Sequence, residues 1–126
     1  MKIAVIIARI LLGFIFVFFG LNGFLQFLKA PLPGGMAGQF LSVFFQSHWV
    51  LAVSAVQLVG GLLLLVNRYV PLALALLGPV IVNIILYHSL ISSMMWQPAA
   101  LVTILWFFLF YRYRANFAGL FVAKAA

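Results

Sequence analysis

The stretch WVLAVSAVQLVGGLLLLVNRYVPLALALLGPVIVNIILYHSL, residues 49–90, decides the fold. Two apolar runs, 49–66 and 70–90, flank Asn67-Arg68-Tyr69, and neither run contains an acid. A helix needs about 20 apolar residues, within a range of about 17–25, to cross the hydrocarbon of a bilayer. Inside that hydrocarbon every backbone group must be satisfied within the protein, so the runs are read as helices. The stretch is therefore a hairpin that crosses, turns and returns. Trp49 suits an interfacial anchor at its start. Pro71 falls in the first turn of the second run, where a missing N–H costs nothing. Gly78-Pro79 near the middle of that run predicts a kink, because Pro79 removes one backbone bond and crowds the turn before it.

Working toward the N-terminus, residues 3–28 form another apolar run, broken only by Arg9, Asn22 and Gln26. At about 1.5 Å per residue it would extend roughly 39 Å. That exceeds a signal-peptide core, and no small-x-small cleavage pattern follows, so an uncleaved, tilted span is expected. Pro31, Pro33, Gly34 and Gly35 stop it. Residues 36–47 then place Phe40, Val43 and Phe44 on one helical face and Gln39, Ser42 and Gln46 on another. That segment is too short and too polar to span, and reads as a helix lying in the interface. Toward the C-terminus, residues 91–97 read as a short loop. Pro98 opens a fourth span that ends near Arg114, and Phe117, Leu120 and Phe121 would keep the tail on the membrane surface.

Composition agrees. The 126 residues are 68% hydrophobic and 6% charged, with no Asp or Glu. Ordinary globular domains are about 25% charged, so this chain lacks the polar skin that a water-soluble fold needs. The expected architecture is all-α: one polytopic membrane domain over residues 1–126, a four-transmembrane-helix bundle. Its spans are at about 3–28, 49–66, 70–90 and 98–114, with a short interfacial helix between spans one and two. The net charge of +7 does not indicate nucleic acid, because the cations are scattered singly through greasy sequence. They fit membrane topology instead. With the N-terminus in the cytoplasm, Lys2, Arg68, Arg112, Arg114 and Lys124 all fall inside and only Lys29 outside, as the positive-inside rule favours. Both termini are then cytoplasmic, in a bacterial-type inner membrane.

The same composition excludes much chemistry. Without cysteine there are no disulfides, thiol redox steps or iron–sulfur ligands. Without acids there is no carboxylate proton carrier, general acid–base pair or triad orienter. His48 and His88 fall at helix ends with nothing to complete a metal site. No catalytic residue is assigned, and an enzyme is not expected.

The informative residues are the polar ones that a membrane span must bury. Asn22, Gln57 and Asn83 each fall roughly 10 Å below the outer surface, with Thr103 at a similar level. Gln26 lies one turn above Asn22, and Tyr87 one turn above Asn83. Four helices thus each offer a polar group to one outer layer. The plain reading is interhelical glue, worth about 0.6–2 kcal/mol per hydrogen bond. The functional reading is a pocket of Asn22, Gln57, Asn83 and Tyr87 that grips a headgroup, such as a quinone carbonyl, beneath an aromatic ceiling. Arg9, two turns into the first span, has no carboxylate side chain in its own chain to pair with. It must snorkel to lipid phosphates, bond to carbonyls or meet an acid on a partner, and snorkelling is the default. Gly13, Gly20, Gly23, Gly60, Gly61, Ala75 and Gly78 permit close helix approach.

Order and spacing across nearly the whole chain resemble the DoxX-like family. Arg9-Ile-Leu-Leu-Gly13 with Gly20-Leu-Asn-Gly-Phe24 resembles its first helix. Gln57-Leu-Val-Gly-Gly61, Asn67-Arg68-Tyr69-Val-Pro71 and Gly78-Pro79-Val-Ile-Val-Asn83-Ile-Ile-Leu-Tyr87-His88 are similar to its centre, and Tyr113-Arg114 with Phe117 to its end. The resemblance implies a four-helix membrane bundle. The family's namesake is the small membrane subunit of a thiosulfate:quinone oxidoreductase. Other members are linked to membrane redox assemblies, and relatives in the wider superfamily act as assembly or trafficking factors. Related sequences often carry a Glu in span four where this chain has Trp106, so any role of that Glu is missing here. The expected function is a small membrane accessory protein, the subunit or partner of a quinone-linked redox assembly. The alternatives are a non-redox assembly factor and a small-molecule transporter acting as a homo-oligomer.

Overall fold

The computed structural model describes residues 2–25, 34–91 and 96–123. Helix α1 covers Lys2–Leu25, α2 Gly35–Gln46, α3 Trp49–Val66, α4 Val70–Leu86 and α5 Trp96–Arg112. A π turn, Tyr87–Ile91, prolongs α4, and a 3₁₀ segment, Arg114–Phe121, follows α5. Among the described residues there is no strand. Three helical stretches, Lys2–Leu25, Trp49–Val66 and Val70–Ile91, are long and apolar enough to cross a membrane. Only 39%, 28% and 33% of their most apolar windows is buried within the molecule, so most of that apolar surface faces outward. Such surface suits hydrocarbon and not water, and it marks an integral membrane protein. The fourth helix, α5, has 17 residues and is shorter than these three.

The expected boundaries hold to within a few residues. Gln26 and the end of the first span lie outside the described residues. The short helix expected in the interface sits one residue earlier in the chain, at Gly35–Gln46. Helix α5 starts at Trp96, so Pro98 occupies its first turn instead of opening it. That position needs no intrahelical N–H donor, and proline is tolerated there. Helix α4 runs through Pro79 as one helix. The tail departs from its expected place on the membrane surface at one residue. Phe117 turns inward and is buried, its ring 4.9 Å from that of Phe110, while Leu120 and Phe121 stay exposed.

Helices α1 and α3 pack antiparallel, with their backbones in close approach at the glycines. A Cβ on Gly13 would lie 2.9 Å from the Gly61 carbonyl oxygen, and one on Gly61 2.8 Å from the Gly13 oxygen. A Cβ on Gly20 would meet the Leu58 nitrogen at 2.9 Å. Near the outer end, a Cβ on Gly23 would collide with the Ser54 hydroxyl at 1.7 Å. Without a driving force from water, membrane helices associate through this kind of close backbone approach. Gly60 faces the other way: a Cβ there would strike Leu77 of α4 at 2.7 Å. The adjacent glycines 60 and 61 therefore let α3 sit tightly between α1 and α4. Helix α5 closes the bundle against α1 and α4, and the buried core runs through Leu12, Phe16, Leu64, Leu74, Leu77 and Leu109.

Arg9 is buried at the α1–α3 seam. Its Nη1 donates to the Leu64 carbonyl and, at 3.3 Å, to the Leu65 carbonyl. These belong to the last turn of α3, whose carbonyls have no intrahelical donor. The backbone supplies part of what they need: Asn67, in a left-handed conformation at φ 58°, donates its N–H to Leu64, and Arg68 donates to Leu63. Arg9 completes the cap from the neighbouring helix, where a cation also meets the negative end of the helix dipole. Of its three expected fates, bonding to carbonyls is the one observed, in place of snorkelling.

Candidate functional site

The polar layer read by depth divides in two once the helix faces are known. On α3 the buried positions Val50, Ser54, Gly61 and Leu64 make an inward stripe, and Gln57 falls on it at helical spacing. Gln57 is nevertheless partly exposed, and among the described residues its side chain has no hydrogen-bond partner. An amide on an inward face with unused donors and acceptors carries a desolvation cost that a bound polar group would relieve. Asn22 on α1 is also partly buried, and it is already engaged in an interaction. Ser54, a turn above Gln57, is buried against Gly23. Composition does not flag this serine. Its spacing of three from Gln57 is the signal that could have found it.

Asn83 and Tyr87 stand elsewhere. The buried stripe of α4 is Val70, Ala73, Leu74, Leu77, Val80 and Ile81. Asn83 lies off that stripe and is exposed. Tyr87, one turn on, is partly buried, and its ring is 5.4 Å from Phe40 of α2 and 5.1 Å from His88. Phe40 in turn stacks on Phe44 at 6.1 Å. This aromatic cluster joins α2 to the end of α4 at Tyr87. It sits on the π turn, whose polar side chains bond back to the helix: His88 Nδ1 to the Ile84 carbonyl at 2.8 Å and Ser89 Oγ to that of Ile85 at 2.6 Å. Thr103 also turns to its own helix, donating to Ala99 at 2.7 Å. Depth alone had put it in the shared layer.

Burial along α4 and α5 is confined to part of each helix. In α4 no residue beyond Ile81 is buried, and in α5 none before Val102. Beyond those points the described residues of both helices are at most partly buried, with Ile84 still packed against the core. Farther in they meet through Trp106. Its Nε1 donates to the Leu74 carbonyl at 3.0 Å, and its ring stacks on Phe110 at 5.2 Å. Gly78 lies beside the indole, where a Cβ would come into ordinary contact with the ring at 3.4 Å. The arrangement can bind and orient a small polar headgroup. Among the described residues no group of three His, Cys, Asp or Glu could hold a metal ion. Compared with protein-family models, curated proteins and solved structures, the chain finds no match.

Proposed function

We propose that the protein is a four-span accessory protein of the DoxX-like kind that holds a quinone headgroup in its outer half for a partner redox enzyme. The observation that carries this reading is Gln57: inward on α3, partly exposed and unpaired among the described residues. Its amide N–H groups suit a quinone carbonyl, and the apolar bundle surface suits an isoprenoid tail lying in the bilayer. A chain without Asp, Glu or Cys brings no carboxylate or thiol side chain of its own, and this reading assigns electron transfer to the partner. Four spans are supported by α5, which packs against both α1 and α4 and is about 26 Å long, near the lower limit for a crossing. The distribution of Lys and Arg supports cytoplasmic termini in an inner membrane.

The test is a titration of the full chain in nanodiscs with a short-tailed quinone, read by quenching of Trp49, Trp96 and Trp106. Saturable quenching is expected. Gln57→Leu should weaken binding about tenfold, the loss of one well-placed hydrogen bond, with the thermal midpoint unchanged or raised. Asn83→Leu should weaken it less, because Asn83 lies off the inward stripe. Quenching that never saturates, or a Gln57→Leu protein that binds like the wild type, defeats the reading. If Gln57→Leu instead lowers the midpoint, the amide is interhelical glue.

A further inference from the structure

Arg9 keeps only 9% of its surface exposed, in a chain with no Asp or Glu side chain to neutralise it. The groups it bonds, the Leu64 and Leu65 carbonyls, are neutral. The end of a helix carries about half a negative charge, which offsets only part of a full positive one. A buried cation left so is costly, and an anion beside it would relieve the cost. Both carbonyls are reached through Nη1 alone. Nε and Nη2 bond to no described residue. Among the described residues, every side-chain nitrogen or oxygen that is sealed from the surface has a hydrogen-bond partner. Nε and Nη2 have none, so they are not sealed, and these donors open to the outside of the molecule.

The free donors form the edge of the guanidinium best suited to an oxyanion. Nε–H and one Nη2–H point the same way, parallel, and make the fork that grips two oxygens at once. With Nη1 held on the end of α3, the plane of the group is fixed and the fork is presented in one orientation. Its level in the bilayer follows from those carbonyls. Leu64 and Leu65 lie in the last turn of α3, which ends at Val66. At 18 residues α3 is about 27 Å long, close to the roughly 30 Å of bilayer hydrocarbon. Its end therefore reaches the hydrocarbon boundary, beside the layer of lipid phosphates. A phosphodiester offers two unesterified oxygens that share one negative charge, which is what the fork takes. A carboxylate would also match it, but a partner protein would have to bring that group to a side chain already nine-tenths covered, whereas lipid borders the protein there in any case.

We infer that the Nε–Nη2 edge of Arg9 is a binding site for a phosphate oxyanion, supplied at this level by the phosphodiester of a phospholipid headgroup. The inference needs only that α3 crosses the membrane, and it stands or falls independently of the quinone reading.

Proton–nitrogen NMR of the full chain tests it, with the arginines labelled and the protein delipidated in dodecyl maltoside micelles. Arg9→Lys serves only to assign the Arg9 Nε–H signal by its loss, so a folding defect in that variant does not touch the readout, which is made on the wild type. The probes are dihexanoylphosphatidylglycerol, dihexanoylphosphatidylcholine and inorganic phosphate, with dihexanoylglycerol and acetate as controls that carry no phosphate. Either phospholipid should shift the Arg9 Nε–H signal saturably, at one lipid per chain, and slow its exchange with water about tenfold, as a hydrogen bond to a charged group would. The signals of Arg68, Arg112 and Arg114, which are exposed, should drift without saturating. Saturation by inorganic phosphate in place of the lipids upholds the oxyanion site and makes the free ion its source. No saturable shift with any phosphate probe overturns the inference. So does an equal shift with dihexanoylglycerol, or saturation by acetate alone, which would point to a partner's carboxylate.

Discussion

Helices α1 and α3 touch backbone to backbone from Gly13 to Gly20, whereas α4 and α5 meet through side chains, with the Trp106 indole bonded to the Leu74 carbonyl. The first interface is closed by the absence of side chains: Gly13, Gly20, Gly23 and Gly61 each leave no room for a Cβ. The second is filled by Trp106 and Phe110, with Phe117 folded in beneath them. It ends at Ile81 and Val102, beyond which neither helix buries a residue. A glycine seam has one register and little freedom, so it serves as the rigid half of the bundle. The aromatic seam depends on side chains that can change rotamer, and Gln57 lies partly exposed on the rigid half.

The comparison breaks most sharply under one substitution made on both sides. Gly61→Ala puts a Cβ 2.8 Å from the Gly13 carbonyl oxygen and 2.9 Å from both the nitrogen and a methyl of Val17, so backbone must shift whatever the valine does. A loss of about 3 kcal/mol is expected, at the upper end for overpacking, read as a lower unfolding midpoint in detergent. Gly78→Ala meets only the Trp106 ring edge at 3.4 Å, and alanine is the better helix former by about 1 kcal/mol. Its midpoint should hold or rise. Equal losses at the two sites would mean that the seams are not different in kind.

Arg9→Met comes next in size. It removes the donor to Leu64 and Leu65 but also removes a buried charge, so the two effects partly offset each other. A net loss of about 1.5 kcal/mol is expected, the lower range for hydrogen bonds to a charged group. Amide exchange at Asn67 and Arg68, whose N–H groups share the same cap, should speed up more than exchange elsewhere. If Arg9→Met is neutral and the cap amides stay protected, the backbone bonds alone hold the end of α3.

Hydropathy makes the helices and their order legible in the sequence, because hydrocarbon imposes length and apolarity on each crossing whatever it packs against. Depth is legible for the same reason: Asn22, Gln57, Asn83 and Thr103 can be counted inward from a helix end. Facing is not legible, since a helix that is apolar all round gives no moment to orient it. Hence Gln57 and Asn83, paired by depth, separate onto an inward stripe and an outer flank, and Thr103 bonds its own turn. Arg9 shows the same limit from another side. The missing acids showed that its partner was not a carboxylate of this chain, but choosing carbonyls over lipid required knowing that α3 ends beside it. The glycines were legible as small residues. That Gly60 serves α4 while Gly61 serves α1 follows from their 100° separation around α3, which acquires meaning only once the neighbours are placed.

The smallest effect is also the most selective. Trp106→Phe keeps an aromatic ring to stack on Phe110 and deletes only the Nε1 bond to the Leu74 carbonyl. That carbonyl lies in the turn before Pro79, where the ring of the proline already disturbs the helix ladder. A loss of about 1 kcal/mol is expected, the net value of one neutral hydrogen bond. The informative readout is its location. Hydrogen exchange should speed up in α4 between Leu74 and Gly78 and in the facing part of α5, while α1 and α3 keep their protection, because the glycine seam does not pass through Trp106. Uniform acceleration across all four helices would show instead that the bundle opens as one unit, and that the rigid and aromatic halves are a difference of packing without a difference of stability.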